Sequence, residues 1–386
     1  MKVTLIYITM FFIQFLITDK LLASSIPTND ASFLQLENFE IVVNPYIQKG
    51  FEGVIIVANE QGLIFRKSNG HAIKGKSDYS TSTVVDIASL SKQFTAAAIM
   101  KLVEQGMMDT SLPISLYIEN VPQNKADITV HHLLTHTAGF KRHLGRDEER
   151  LSKNEFLNKA MALPLTFGVG EKYHYSNIGY GLLALIVENV SGQEFEAYLF
   201  ENLLESAGMF ATGYLRPDWS QRIIPEVTRR YAGFSSPLKL LESAKGDFWN
   251  LKGAGGILST AEDMALWHIA LLKGEILSYE SQRLMFTPYV EENDDGYYYG
   301  YGWSVVPRKG KEPLIWHNGM SFFGKAEYWR LPHSGLMIFV ASHEGDVEPW
   351  HIANALFKAL EMEAGKGTSS ASHLNIEQTE TVNDSV

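Results

Sequence analysis

The sequence predicts an α+β fold: a mostly antiparallel sheet flanked by helices, with an inserted helical domain. Apolar strand patterns occur soon after residue 50 and return after Gly296, whereas the stretch between them shows helical periodicity and loops. A sheet built from both ends of the chain and covered by helices accounts for this arrangement. A cleft between the sheet part and the insert would be a common location for a ligand site.

The composition is that of a globular chain with more acidic than basic residues. Of its 386 residues, 45% are hydrophobic and 20% are charged, and the net charge is −11. Nucleic acid and anionic membranes both need a basic face, so neither is expected as a partner. The chain contains no cysteine, which excludes disulfides, thiolate catalysis and cysteine-bound zinc.

The N-terminus is typical of a secretory signal peptide. Lys2 precedes an apolar run over residues 3–17, and Ala23 or Ser25 offers a small residue for cleavage. The run is short for a membrane span, but the charged pair that follows it is atypical of a signal, so an uncleaved anchor is the alternative. We expect residues 1–25 to direct export to the periplasm or the medium, with membrane contact only if this segment is retained.

A hairpin and a helix are the first predicted elements. Residues 51–72 contain two apolar runs around the turn Asn59-Glu60-Gln61-Gly62, and the polar residues 24 to about 37 before them are expected to be a flexible start. Residues 81–88 (TSTVVDIA) predict a strand that enters a helix at Ser89.

The later elements follow the insert. Residues 253–260 (GAGGILST) lack the lysine of a phosphate-binding loop and are expected to pass close to the cleft. A helix capped by Ser259 or Thr260 comes next, then four strands, and an amphipathic helix closes the fold. The expected parts are residues 1–25 for the signal or anchor, 26–364 for the folded domain (α/β parts at about 38–108 and 251–364, helical insert at about 109–250) and 365–386 for a disordered tail.

The stretch Ser89-Leu90-Ser91-Lys92 carries the clearest chemical signal. Residues three apart share one helix face, with Cβ atoms about 5–6 Å apart, so Ser89 and Lys92 are expected to meet. A desolvated lysine can take the proton of a serine hydroxyl, and helix N-terminal amides favour a developing oxyanion. Ser91 would point about 100° away around the helix, which makes Ser89 the predicted nucleophile. The alternative is a plain capping serine.

Tyr175 and Asn177 form a second candidate group, in a loop that enters a long apolar helix. A lysine nearby favours the anionic form of a phenol, so Tyr175 is a candidate for proton transfer. Asn177 is a candidate donor to a substrate carbonyl. The alternative is a helix cap with a core tyrosine.

His317-Asn318-Gly319 is the third group, between an apolar strand and another strand pattern. Gly319 would let a ligand approach the backbone closely, and the N–H of Met320 would be a second oxyanion donor. An unperturbed imidazole titrates near pH 6.5, so His317 is expected to give the pH–rate profile a limb there. The alternative is a plain turn.

A metal site is the remaining suggestion. His132 and His136 have the i, i+4 spacing of zinc ligands on a helix. However, Leu133 stands where a zinc protease carries glutamate, and no third ligand is evident nearby. Structural histidines are the preferred interpretation, and no metal or cofactor is expected.

Taken in order, these blocks resemble the serine hydrolases of the class C β-lactamase, DD-peptidase and esterase type, a penicillin-binding-protein-like family. The resemblance runs from about Phe51 to Ala341, and His317-Asn318-Gly319 falls where the family carries K-T-G or H-x-G. The other matching segments are DIASLSKQFTAAAIMKLVEQG, ITVHHLLTHTAGF, GEKYHYSNIGYGLLALIVENVSG, GAGGILSTAEDMA and YGYGWSV.

The resemblance implies a β-lactamase/transpeptidase-like fold and a role for each matched residue. Ser89 would be acylated, and the resulting acyl-enzyme ester would then be hydrolysed. Lys92 would help to deprotonate Ser89, and Tyr175 would share the acid–base catalysis. Asn177 would orient the substrate. The backbone amides of Ser89 and Met320 would form the oxyanion hole.

The third block departs from the family pattern. His317 stands in place of the lysine, and an imidazole binds a substrate carboxylate less well than a permanent ammonium. β-Lactams and DD-peptide stems carry such a carboxylate, so an ester, amide or D-amino-acid peptide is the expected substrate. The alternatives are β-lactamase or DD-carboxypeptidase activity, a catalytically silent binding or scaffold protein of the same fold, and a metallohydrolase.

Overall fold

The computed structural model describes residues 33–365, with the side chains of residues 38–362. The predicted signal peptide and all but the first residue of the predicted tail lie outside this part of the chain. The helices are α1 (Phe33–Gln48), α2 (Ser91–Glu104), α3 (Val130–Leu134), α4 (Lys153–Ala162), α5 (Asn177–Ser191), α6 (Phe195–Leu199), α7 (Pro237–Ala244), α8 (Ala261–Leu272), α9 (Tyr279–Met285) and α10 (Pro349–Gly365). The strands are β1 (Gly53–Asn59), β2 (Gly62–Asn69), β3 (His71–Ile73), β4 (Ser77–Asp78), β5 (Val85–Asp86), β6 (Leu258–Ser259), β7 (Val290–Glu291), β8 (Tyr298–Tyr299), β9 (Ser304–Val306), β10 (Leu314–Met320), β11 (Lys325–Leu331) and β12 (Leu336–Ser342).

One antiparallel sheet of eight strands organises the molecule. Its order is β2-β1-β12-β11-β10-β9-β8-β7, so the N-terminal hairpin joins the C-terminal strands where Val54 lies opposite Ala341. The hairpin turns at Asn59 and Gly62, as its sequence predicts. The α+β fold class, with one sheet assembled from both ends of the chain, is confirmed.

Side chains of β1 alternate between two apolar cores, because successive residues of a strand face opposite sides of the sheet. Val54 and Ile56 belong to the larger core, which also holds buried residues of α2, α5 and α8. Ile55 and Val57 belong to the smaller core, which α1 and α10 cover. Within residues 33–365, no helix is both long and apolar enough to cross a membrane.

Helix α1 is a difference from the sequence prediction. It begins at Phe33, inside the segment expected to be flexible. Phe39 and Val43, one helical turn apart, are buried in the smaller core. The sheet supplies the apolar partner that stabilises this helix.

A short pair of strands connects the two ends of the helical segment. Val85 of β5 lies opposite Ser259 of β6, and Asp86 lies opposite Leu258. Helices α3 to α7 occupy the chain between these strands. The chain therefore leaves the sheet part and returns to it at one place, directly beside Ser89.

Glu327 of β11 is a buried carboxyl, 5% exposed, beneath α10. Burial raises its pKa to about 8, against the opposing effect of a hydrogen bond donated by Trp329 Nε1 at 2.9 Å. The native protein therefore holds a proton on Glu327 at neutral pH, whereas the unfolded chain releases it above its ordinary pKa of 4.5.

We predict that the contribution of Glu327 to the free energy of unfolding falls as the pH rises from about 4.5 to about 8, because the native state binds the extra proton over that window. The loss attributable to Glu327 is at most about 1.4 kcal/mol per pH unit. The free energy of unfolding in urea should be measured at pH 5 and pH 8, and its change between the two should be more destabilising in the wild type than in Glu327→Gln. Glu60→Gln, at the exposed turn of the hairpin, is the control, and equal changes in wild type and Glu327→Gln would contradict the prediction.

Candidate active site

Ser89 lies in a short 3-10 turn, Ala88–Leu90, which we call the Ser89 turn. Helix α2 begins two residues later than predicted, at Ser91. In a 3-10 turn, side chains three residues apart are aligned, so Ser89 and Lys92 still meet. Ala88 has a φ of +44°, which is rare for a residue with a side chain and is typical of constrained functional turns.

Asp86 holds this strained turn from inside the protein. One carboxylate oxygen accepts a hydrogen bond from Ala88 N at 2.8 Å, and the other accepts one from Ser321 Oγ at 2.7 Å. Burial raises the pKa of Asp86 to about 6, although both hydrogen bonds oppose the shift. Asp86 thus connects the Ser89 turn to the loop after β10. The sequence analysis missed it, although a carboxylate between Val85 and Ile87 was a detectable signal.

Lys92 is fully buried beneath the Ser89 turn. Its Nζ lies 3.4 Å from Ser89 Oγ, 2.8 Å from Asn177 Oδ1 and 2.7 Å from the carbonyl oxygen of Ala254. Burial lowers its pKa well below the usual lysine value, and the charge of Arg142 lowers it further. A lysine with a lowered pKa can accept the proton of the neighbouring hydroxyl.

Tyr175 lies against the same ammonium group. Lys92 Nζ is 4.6 Å from the centre of its ring, and Arg142 Cζ is 5.0 Å from it. Burial raises the pKa of the phenol, although a hydrogen bond with Ser89 opposes the shift. The phenol is therefore protonated at neutral pH, a difference from the expectation that a nearby lysine would favour the phenolate.

Ser91 differs from Ser89 as predicted. Its side chain is fully buried. Its hydroxyl donates to the carbonyl oxygen of Ala88 at 2.6 Å and accepts from Ile257 N at 3.2 Å. Both contacts support the Ser89 turn, and Ser91 is not available for chemistry.

Asn177 is the first residue of α5, and the capping role belongs to its neighbour. Ser176 Oγ accepts a hydrogen bond from Gly179 N, which frees the Asn177 side chain to face Lys92. Asn177 Nδ2 lies 3.2 Å from His143 Nδ1. The amide therefore connects the buried lysine to the loop after α3.

His132 and His136 have separate structural positions. His132 Nδ1 accepts a hydrogen bond from Thr129 N at the start of α3. His136 lies beyond the end of that helix, accepts from Ser176 N at 3.0 Å and packs 4.4 Å from the ring of Tyr175. Among the described residues, no group of three or more His, Cys, Asp or Glu could hold a metal ion.

His317 is buried behind the site. Its Nδ1 lies 2.6 Å from the carbonyl oxygen of Asn318, and its Nε2 lies 3.0 Å from the Tyr299 hydroxyl. A carbonyl only accepts, so Nδ1 carries the proton and Nε2 accepts from Tyr299. Burial and the charge of Lys92 lower the pKa of His317 to about 3. The imidazole is neutral and faces away from solvent, and the geometry does not favour its predicted contact with a substrate.

Gly319 brings β10 against the Ser89 turn. A Cβ atom at this position would lie 2.2 Å from the carbonyl oxygen of Ile87, so only glycine allows this approach. Met320 follows, and its side chain is largely exposed. Met320 and Ser89 line the same cavity, and the role of the Met320 N–H as an oxyanion donor stays a prediction.

A cavity of about 590 Å³ opens over Ser89, which we call the active-site cavity. The glycine-rich segment Ala254–Gly256 lines one side, as expected of a segment close to the cleft. The polar lining groups are Asp86, Ser89, Asp147, Asn177, Asn250 and Ser321. The larger apolar lining groups are Pro237, Leu240, Leu241, Leu251, Phe322 and Phe323.

A stacked pair of aromatic rings bridges two loops of this cavity. The rings of Tyr231 and Phe322 are parallel, with centres 3.6 Å apart. The Tyr231 hydroxyl donates to Glu148, which also pairs with Arg146. The loop after α3, the loop before α7 and the loop after β10 therefore form one connected wall.

Comparison with known proteins identifies the family. The sequence profile of the Beta-lactamase family matches residues 39–360, so the chain belongs to this family. A penicillin-binding protein of Bacillus subtilis (strain 168) is 26% identical over 332 residues, which span 81% of this chain and 72% of that protein. The resemblance inferred from the sequence motifs is confirmed.

Solved structures show the same fold. A penicillin binding protein from Bacillus halodurans has a TM-score of 0.69 and 27% identity, covering 83% of this chain and 99% of that chain. A D-amino acid amidase from Ochrobactrum anthropi SV3 has a TM-score of 0.70 and 19% identity, covering 86% of this chain and 100% of that chain. The fold is that of the serine hydrolases of this family.

We predict that replacing His317 leaves the limbs of the pH–rate profile unchanged between pH 5 and pH 8. With a pKa of about 3, the imidazole stays neutral across this range. This replaces the expectation of a limb near pH 6.5. The profile of kcat/KM for His317→Asn should parallel that of the wild type, and the loss of a limb in the variant would show that His317 titrates after all.

We predict that Gly319→Ala lowers kcat/KM by about 10²-fold, because the added methyl group pushes β10 away from the Ser89 turn. Gly168→Ala is the matched control, since residue 168 is exposed and its added methyl group would meet only the flexible end of Glu171. Ester hydrolysis by the three proteins checks the prediction. Equal activity of Gly319→Ala and the wild type would rule out this positioning role.

Proposed function

We propose that the protein is a serine hydrolase that forms an acyl-enzyme on Ser89 and acts on an ester, an amide or a D-amino-acid peptide. The observation that carries the proposal is the dehydrated side-chain nitrogen of Lys92, whose lowered pKa suits a base and which lies within reach of Ser89 Oγ and Asn177 Oδ1 at once. Burying a lysine is unfavourable unless its nitrogen has polar partners or a chemical function. Here the group beside it is the half-exposed hydroxyl of Ser89.

The proposed mechanism has two steps. Ser89 Oγ attacks the substrate carbonyl carbon, and its proton passes to Lys92 Nζ. The bond to the leaving group breaks as the Tyr175 hydroxyl gives it a proton, and Tyr175 then regains a proton from Lys92. Backbone N–H groups of Ser89 and Met320 stabilise the oxyanion. Water then attacks the acyl carbon by the reverse proton route and releases the acid.

The lining of the active-site cavity supports a substrate without a carboxylate at this position. No lysine or arginine is among its described lining residues, and the imidazole of His317 is neutral. A β-lactam or DD-carboxypeptidase substrate would bring a carboxylate that needs a cation. The similarity of the fold to a D-amino acid amidase agrees with an amide substrate.

A silent binding or scaffold protein is the second candidate. Against it, Ser89, Lys92, Tyr175 and Asn177 lie in mutual contact rather than dispersed. Export is also a proposal, which rests on residues 1–25 outside the described part of the chain.

We predict that a fluorophosphonate probe labels the wild type and does not label Ser89→Ala. Ser91→Ala is the matched control, since it removes a serine two residues away that supports the turn, and its folded fraction should still be labelled. Labelling of Ser89→Ala would exclude Ser89 as the nucleophile. An unlabelled, folded wild type would favour the silent binding protein.

We predict that Lys92→Ala lowers kcat about 10²–10⁴-fold, the range for positioned acid–base catalysis. A short-chain aryl ester and a chromogenic cephalosporin should be assayed side by side, and the ester should be the better substrate. Faster turnover of the cephalosporin would favour the β-lactamase alternative.

A further inference from the structure

Asp147 is a carboxylate of the active-site cavity that has no hydrogen-bond or ion-pair partner among residues 38–362. It lies in the loop between α3 and α4, beside two other acids. Glu148 pairs with Arg146 and Tyr231, and Glu149 pairs with Lys159 at 2.6 Å. Among residues 38–362, by contrast, no side chain or backbone group forms a hydrogen bond or an ion pair with Asp147.

The position of Asp147 makes this lack of a partner unfavourable. The residue is half-buried, and burial raises the pKa of its carboxyl, as does the charge of Glu148. Its charge acts on Asp86 and Lys92, so it lies near the nucleophile rather than at the outer rim. Buried charges in proteins are usually paired, and an unpaired carboxylate that borders a cavity is complementary to a ligand cation.

The electrostatics of the cavity also favour a cation. Asp86 and Asp147 are both in the described lining, and no lysine or arginine accompanies them. Lys92, the nearest ammonium group, already has three oxygen partners beneath the Ser89 turn. Arg142 packs over the ring of Tyr175 and is not part of the lining.

Asn250 supplies a second acceptor on the same side of the cavity. Its Nδ2 donates to the carbonyl oxygen of Arg146 at 2.8 Å, which fixes the orientation of the amide. Asn250 Oδ1 has no hydrogen-bond partner within the described chain. Asn250 and Asp147 both border the active-site cavity and a smaller recess of about 200 Å³ beside it. An ammonium group has three donors, so it can use a further acceptor besides a carboxylate.

The remaining wall determines what the cation is attached to. Leu240, Leu241 and Leu251 line the cavity together with Pro237 and Phe323. Such a surface favours an apolar side chain. A group that combines an ammonium and an apolar side chain next to a reactive carbonyl is an amino acid with a free α-amine.

We propose that the active-site cavity takes an apolar aminoacyl group with a free α-amine, and that Asp147 binds the ammonium. The substrate class is then an amide or ester of such an amino acid. This inference rests on the proposed function, because Ser89 is the group that would receive the acyl chain. Asp147 is a residue that determines specificity and takes no part in proton transfer.

Binding tests the inference without turnover. In a Ser89→Ala background, titration calorimetry should compare phenylalanine amide with N-acetylphenylalanine amide, in both enantiomers. In at least one enantiomer the free amine should bind about 10- to 100-fold more tightly, as expected for a charged hydrogen bond. Asp147→Asn should remove this preference and Glu149→Gln, the matched control two residues away, should retain it. Equal binding of the two compounds, or a preference that survives in Asp147→Asn, would overturn the proposal.

Kinetics separates failure of this inference from failure of the proposed function. The substrates are phenylalanine p-nitroanilide and its N-acetyl form, which share a leaving group. Asp147→Asn should lower kcat/KM for the free amine about 10- to 100-fold more than for the acetylated substrate, because the loss of its charge near Lys92 affects both substrates alike. Remaining hydrolysis of the acetylated substrate shows that the variant is folded. Ser89-dependent hydrolysis with no preference for the amine would overturn the inference alone. Hydrolysis that survives in Ser89→Ala would overturn the proposed function, and the binding comparison would still decide the role of Asp147.

Discussion

The buried ammonium group of Lys92 is the interaction on which the site depends. Its hydrogen-bond acceptors come from three separate parts of the chain: the Ser89 turn, the start of α5 and the glycine-rich segment before β6. A dehydrated ammonium is stable only while such partners surround it, so each of these segments is tied to the others through one atom. The same dehydration lowers the pKa of Lys92, so that the side chain can lose its proton and act as a base.

A second constraint is the close approach of the sheet to the nucleophile. Gly319 lets β10 pack directly on Ile87, and Asp86 bonds both the Ser89 turn and Ser321 beyond the end of β10. The positive φ of Ala88 is tolerated because these contacts surround it. The backbone geometry around Ser89 is therefore set in large part by its contacts with β10 and the loop after it.

Local patterns in the sequence predicted most of the sheet and the residues that meet at Ser89. Apolar runs marked β1, β2 and the C-terminal strands, and the spacing of Ser89 and Lys92 marked the site. Helix α1 was missed because its stability comes from the sheet that it covers. Local patterns could not predict the protonation states of His317 and Tyr175, because their pKa shifts arise from burial that only the folded chain creates. The environment of Asp147 was also beyond local patterns, since only the folded chain shows that Glu148 and Glu149 have partners among the described residues whereas Asp147 has none.

The pairing of β5 with β6 has a consequence for how such a protein can change. The chain leaves the sheet part after β5 and returns to it at β6, and these two strands pair with each other next to Ser89. The intervening loops supply much of the wall of the cavity, whereas the sheet supports the Ser89 turn without them. Changes in those loops, apart from the segment that carries Tyr175 and Asn177, can alter which compounds enter while the reactive hydroxyl stays where it is, so selectivity can evolve with little change in reactivity.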